Sequence, residues 1–146
     1  MRVLGIDVGE RRVGLAISDV TQTLARPLTT LSVHGMDEAV GRVALEVGRL
    51  ASEEDGLAAI VVGVPLRLDG SPSEQTRRVA AFIDALSALT SLPIVGMDER
   101  LTSREAESRL AINERDWRRR KERLDAAAAA IILQEYLDAQ NVKRET

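Results

Sequence analysis

The sequence predicts an α/β fold. A three-strand antiparallel meander opens a mixed sheet, strand–helix alternation continues it, and helices cover both faces. Three observations predict this. Two short apolar stretches, residues 3–8 and 12–18, flank a turn rich in Gly and charge and read as a hairpin. The uninterrupted apolar run Leu57–Val64 has strand length and suits a strand buried on both faces. Amphipathic segments of helical period lie between and after these strands.

Composition bounds the possibilities. With 146 residues, 45% hydrophobic and 29% charged, the chain is expected to form one globular domain over residues 1–146. Phe82, Trp117 and Tyr136 are its three aromatic residues, so Val, Leu, Ile and Ala must build the core. A net charge of −3 gives no global attraction to nucleic acid, and any such binding needs a local basic patch. The absence of cysteine excludes disulfides and thiol catalysis. No uncharged apolar run reaches the roughly 18–20 residues of a membrane span. The first residues do not resemble a signal peptide, so a soluble cytoplasmic protein is expected.

In the hairpin, Gly9 is expected to supply an unusual backbone angle at the turn. Thr23–Ser32 follows as a third strand, with Pro27 pointing to an edge position. Residues 37–54 read as a helix with Val40, Val43, Val47, Leu50 and Ala51 on one face, weakened slightly by Gly41 and Gly48. After Leu57–Val64 comes a loop with an Asp69-Gly70 turn signal. Ser71-Pro72-Ser73-Glu74 then reads as a capping box with Pro at the first helical position. That helix is expected to bury Val79, Phe82, Ile83, Leu86 and Leu89. Leu92–Met97 reads as a second short central strand ending in Asp98-Glu99-Arg100. Thr102-Ser103-Arg104-Glu105 is another capping box, opening a helix to about Ile112. A basic segment, Arg115–Arg123, and a helix from about Leu124 to Asp138 close the chain.

At three places in the chain, acids stand where apolar residues are expected. Asp7 lies within an apolar strand, where an unpaired charge costs several kcal/mol, on the order of effective ion desolvation. It needs a partner: Arg11 or Arg12 across the turn, or a metal. Asp98 and Glu99 end a strand, at the sheet end where ligands collect in open α/β folds. Asp125 precedes Ala126–Ala130, whose small side chains let a helix approach the sheet closely. Carboxylates meeting at one sheet end would hold divalent metal, with Mg²⁺ favoured by all-oxygen ligation and Mn²⁺ also compatible. Two such ions would activate a water and stabilise the leaving oxygen of a phosphodiester displacement.

Gly5–Asp19, Val62–Ser71, Asp98–Thr102 (DERLT) and Asp125-Ala126-Ala127-Ala128 with Ile131-Ile132-Leu133-Gln134 together resemble the YqgF/RuvX family. These motifs span nearly the whole chain in order. The resemblance implies an RNase H-like fold and a nuclease that trims the 5′ end of pre-16S ribosomal RNA in the cytoplasm, or a Holliday-junction-resolvase-like enzyme. It implies Asp7 as the first-strand metal ligand, Glu99 as the second acid and Asp125 as the helix acid. Strand alternation allows only one of Asp98 and Glu99 on a given face. Glu99 is taken as the ligand, leaving Asp98 to pair with Arg100 or cap the next helix. Better-studied resolvases of this fold carry a further acid near the last one; here the position three residues on is Ala128.

Within the basic segment, six cations (Arg115, Arg118, Arg119, Arg120, Lys121 and Arg123) oppose Asp116 and Glu122. Such clusters attract phosphates without reading sequence; a solvated helix face is the plain alternative. Arg11, Arg12, Arg100, Arg118, Arg119, Arg120 and Lys121 are the expected substrate contacts. The loop Leu66–Ser71 is expected to border the groove, and Trp117 to anchor the basic segment. His34, the single histidine, reads as a surface residue at a strand-to-helix junction. Ser18 and Thr102 have no histidine placed to activate them, and Gly5, Gly9 and Gly14 do not form a dinucleotide fingerprint. Two rival functions remain: an ATPase of the actin and sugar-kinase type, for which 146 residues supply only one of two domains, and a non-catalytic RNA-binding ribosome-assembly factor. Structured RNA is the expected partner, branched DNA the alternative, and the chain would act as a monomer or a homodimer.

Overall fold

The computed structural model describes residues 1–99 and 117–145, with side chains described for 1–99 and 126–144. Its sheet has five strands: β1 (Arg2–Val8), β2 (Arg12–Ser18), β3 (Ala25–Ser32), β4 (Leu57–Val64) and β5 (Ile94–Asp98). Their spatial order is β3-β2-β1-β4-β5. β1, β2 and β3 pair antiparallel, while β1, β4 and β5 run parallel. The carboxyl ends of the three parallel strands therefore share one edge of the sheet.

Two apolar clusters cover the two faces. On one, Leu4, Ile6, Val8, Ile60 and Val62 pack with helix α1 (Met36–Ser52) and helix α2 (Glu74–Ser87) through Val43, Val47, Leu50, Val79, Phe82 and Leu86. On the other, Val3, Ala16, Ala59 and Val61 pack against Ala129, Ile132, Leu133 and Leu137 of helix α3 (Trp117–Glu145). Alternation along each strand feeds both cores, and this is why β4 carries no polar residue. The β1 backbone meets α3 almost directly: a β-carbon on Gly5 would lie 2.8 Å from Leu133 Cβ and 3.1 Å from the Ala129 carbonyl. The alanines permit that approach. Gln134 fixes the height of α3 on the sheet, accepting from Ala25 N–H at 2.9 Å and donating to Thr23 O at 2.8 Å.

Several expectations from the sequence change. The turn after β1 does not need a left-handed residue at Gly9. It needs space, because a β-carbon there would lie 2.7 Å from the Arg12 carbonyl, whose oxygen accepts from Gly9 N–H at 2.8 Å. The cap of α2 is Ser73, not Ser71: Ser73 and Thr76 exchange capping bonds, while Ser71 bonds Asp69 within the preceding turn. Leu89 lies beyond the end of α2 and is exposed, because the helix stops at Ser87; Ala51 of α1 is exposed as well. β5 is an edge strand and only partly buried, since no strand follows it in the sheet. The last helix is described over Trp117–Glu145, so most of the basic segment belongs to it. Pro27 does lie in an edge strand, β3. The expected helix from Thr102 to Ile112 lies outside the described residues. Among the described residues, no helix is long and apolar enough to cross a membrane.

Candidate active site

β1 and β5 each bring an acid to the carboxyl edge on the face that α3 covers. In β1, Leu4, Ile6 and Val8 belong to the opposite core, so Asp7 points with Val3 and Gly5 toward α3. In β5, Met97 packs in the α3 cluster, and Glu99, two residues on, continues on that face. The backbone still follows the sheet there, as Glu99 N–H donates to Val64 O at 3.1 Å. Asp98 is exposed.

β4 lies between the two acids. One step beyond the pair Ile6–Val62, Asp7 is level with Gly63, which pairs with Met97 on the other side. A β-carbon on Gly63 would collide with Glu99 Oε2 and lie 2.5 Å from Ile132 Cδ1. The missing side chain is what lets the Glu99 carboxyl lie across β4. It reaches Asp7, with which it shares a side-chain hydrogen bond, and its Oε2 is enclosed by protein. Burial pushes the Glu99 carboxyl above its ordinary 4.5; the hydrogen bond to Asp7 opposes this, and the Asp98 charge adds to it.

Two carboxyls in hydrogen-bonding contact are a strained pair when both are ionised. A shared proton relieves the repulsion, and so does a cation between them. The donor set is all oxygen and the approach is held open by a glycine, so the pair fits a hard divalent ion such as Mg²⁺. Among the described residues, no three His, Cys, Asp or Glu side chains converge on one point. The side chain of Asp125 lies outside that set. Its backbone, however, is in α3, one turn before Ala129, and Ala129 touches the β1 backbone at Gly5.

The cations expected at the substrate distribute as follows. Arg11 is exposed on the β1–β2 turn and Arg12 is half-buried at the start of β2. Among the described residues neither forms an ion pair, which leaves the predicted pairing of Asp7 with the turn arginines without a counterpart. Arg118, Arg119, Arg120 and Lys121 fall in the first turns of α3, with side chains outside the described residues. Arg100 lies outside the described residues entirely. The loop 66–71 leaves the carboxyl end of β4 and is closed by Arg67 N–H to Ser71 O at 3.0 Å, beside the same sheet edge. Gly63 was not foreseen as part of the site; its signal was a glycine inside an apolar strand, which marks a close approach.

A family model described as RuvX, Holliday junction resolvase, matches residues 1–139. The chain belongs to the RuvX family. Among its relatives, a protein of Chloroflexus aggregans is 44% identical over 137 residues, covering 94% of this chain and 93% of its own length. One of Thermoanaerobacter pseudethanolicus is 38% identical over 145 residues, covering 98% and 100%. Both carry the name "Putative pre-16S rRNA nuclease". The fold of this RuvX chain is RNase H-like: it superimposes on Thermus thermophilus RuvC, solved in complex with a Holliday junction substrate, with a TM-score of 0.55. The two are 21% identical, and the match covers 97% of this chain and 96% of the other.

Proposed function

We propose that this chain is a metal-dependent endonuclease that cuts phosphodiester bonds in structured RNA, processing the 5′ end of pre-16S ribosomal RNA in the cytoplasm. One observation carries the reading: Asp7 and Glu99, from strands separated by β4, are brought into contact over Gly63 at the carboxyl edge of the sheet. A structural ion pair would have joined an acid to a base; here two acids meet, and the arrangement gains from a cation. The names of the relatives support the substrate, and the description of the family makes branched DNA the second substrate to test.

Asp7 and Glu99 would hold the metal, with Asp125 as the third ligand, and residues 1–146 act as one nuclease domain. Divalent metal bound there supplies an activated water and stabilises the leaving oxygen. With the metal bound, Asp7 and Glu99 would both be ionised, the proton passing to solvent, and their oxygens would hold the ion at the sheet edge. Arg11, Arg12 and Arg100 neutralise phosphates near the sheet edge, while Arg118, Arg119, Arg120 and Lys121 draw in the flanking backbone by charge.

The test is cleavage of labelled pre-16S RNA and of a four-way DNA junction side by side, with Mg²⁺, with Mn²⁺, with chelator, and with Asp7→Asn. Metal-dependent cutting of RNA that the substitution abolishes is the expected result. Cutting of the junction alone would transfer the activity to DNA. Tight RNA binding that survives Asp7→Asn, with no cutting of either substrate, would favour a non-catalytic assembly factor.

A further inference from the structure

A second feature lies at the same sheet edge but on the α1/α2 side. A cavity of about 730 Å³ opens between the β1–β2 turn, the β3–α1 connection and α2. Arg11, Arg12 and Arg78 line it, with Glu10 as the one acid among its lining residues. Among the described residues, none of the three arginines forms an ion pair. Its floor is apolar, built from Val8, Val33 and Ala39, all less than a tenth exposed.

The Arg78 side chain and the backbone of the turn that carries Arg11 and Arg12 are both tied down. Arg78 donates to Gln75 Oε1 at 2.7 Å, and Gln75 donates in turn to Val8 O at 3.0 Å, which ties α2 to the end of β1. Val33 N–H donates to Arg11 O at 2.9 Å, which ties the turn to the end of β3. Three guanidinium groups without an ion-pair partner among the described residues, against a single carboxylate in the lining, repel one another. Their grouping is stabilised by a ligand carrying negative charge, and the planar forks suit phosphate oxygens. The space far exceeds one phosphate, and pockets of this size take drug-sized molecules. An apolar floor beneath cationic walls matches a planar base attached to a phosphate, and guanidinium planes themselves stack on bases.

We propose that this cavity binds one nucleotide, its phosphate clamped by Arg11, Arg12 and Arg78 and its base laid on Val8, Val33 and Ala39. That nucleotide is either the unpaired end of a substrate strand or a free mononucleotide. The strand source rests on the nuclease reading above; the pocket itself does not.

The experiment follows the backbone amide signals of Val33, His34 and Ala39 in the full chain while adenosine monophosphate or inorganic phosphate is added. In parallel, binding of a blunt RNA duplex is compared with that of the same duplex bearing a three-nucleotide single-stranded end. Saturable shifts with the nucleotide, weaker with phosphate, are expected, and both should weaken in Arg78→Ala and recover in part in Arg78→Lys. If the strand is the source, the overhang binds about tenfold tighter than the blunt duplex, the order expected for one seated nucleotide, and Arg78→Ala erases the difference. Nucleotide shifts without an overhang preference would assign the pocket to free mononucleotide. Equal shifts with inorganic phosphate, no shifts with either, or an Arg78→Ala protein that melts like wild type and binds nucleotide equally well would overturn the proposal. Loss of RNA cleavage activity bears only on the nuclease reading, because the nucleotide titration involves no cutting.

Discussion

The carboxylate of Glu99 occupies the space that a side chain on Gly63 would fill. Strand β4 thereby serves as a bridge across which acids from β1 and β5 touch, although its own residues supply no charge.

Gly63→Ala follows directly. The added carbon must displace Glu99 Oε2 and Ile132 Cδ1 together, one at the site and one in the α3 core. Overpacking of this kind costs about 1–3 kcal/mol. We expect that loss in urea denaturation, together with a fall in nuclease activity of about a hundredfold, since a misplaced group at a reacting centre costs that order. Activity within a few fold of wild type would show that Glu99 need not cross β4.

Glu99→Gln should separate stability from activity. Burial raises the Glu99 carboxyl in the folded chain above its unfolded value of 4.5, so the folded state holds its proton more tightly. The associated stability is fully present below the unfolded value and is lost as pH rises through the folded one. Wild type should therefore fall behind Glu99→Gln in denaturation midpoint as pH rises from below 4.5. Added Mg²⁺ should narrow that gap in wild type alone, by binding the folded state. A gap independent of pH would refute the burial argument.

Arg2→Ala should damage the fold and spare the site. Arg2 is 9% exposed and donates to the carbonyls of Leu50 and Gly56 at 3.2 Å each, closing the end of α1 far from Asp7. Glu53, 3.6 Å away, is too exposed to add much. Charged hydrogen bonds of this kind are worth about 1.5–3 kcal/mol, and the loss should appear as a lower melting temperature. The dissociation constant for metal, measured by calorimetry below the melting transition, should stay the same.

Gly41→Ala and Gly48→Ala should stabilise the protein. Both glycines lie within α1, and a β-carbon at either meets nothing within 4 Å. Alanine gains about 1 kcal/mol over glycine in a helix interior. The double substitution should raise the denaturation midpoint by nearly the sum of the two, as the sites are seven residues apart on an exposed face. A drop would mean that this surface meets another chain.

Patterns carried by neighbouring residues were legible in the sequence. Strand period, the doubly buried run at 57–64, the apolar stripe of α1 and the edge position marked by Pro27 all depend on local spacing, and each appears in the sheet order. The presence of an out-of-place acid at Asp7 and another at Glu99 was legible for the same reason: each breaks an apolar pattern. What the acids face was not. An acid on β1 and one after β5 meet only because β4 inserts between their strands and carries glycine at the crossing point. The boundary of α3 also escaped local reading, because its Ala-rich half gains stability by packing on the sheet while its charged half simply continues the hydrogen-bonded helix. The sequence by itself determined which residues prefer strand, helix or turn, since those preferences are set within a few positions along the chain. Only the tertiary structure decided that Glu99 lies over Gly63 against Asp7 and that Arg78 shares a cavity with Arg11 and Arg12, because such contacts depend on strand order and register, which no local pattern encodes.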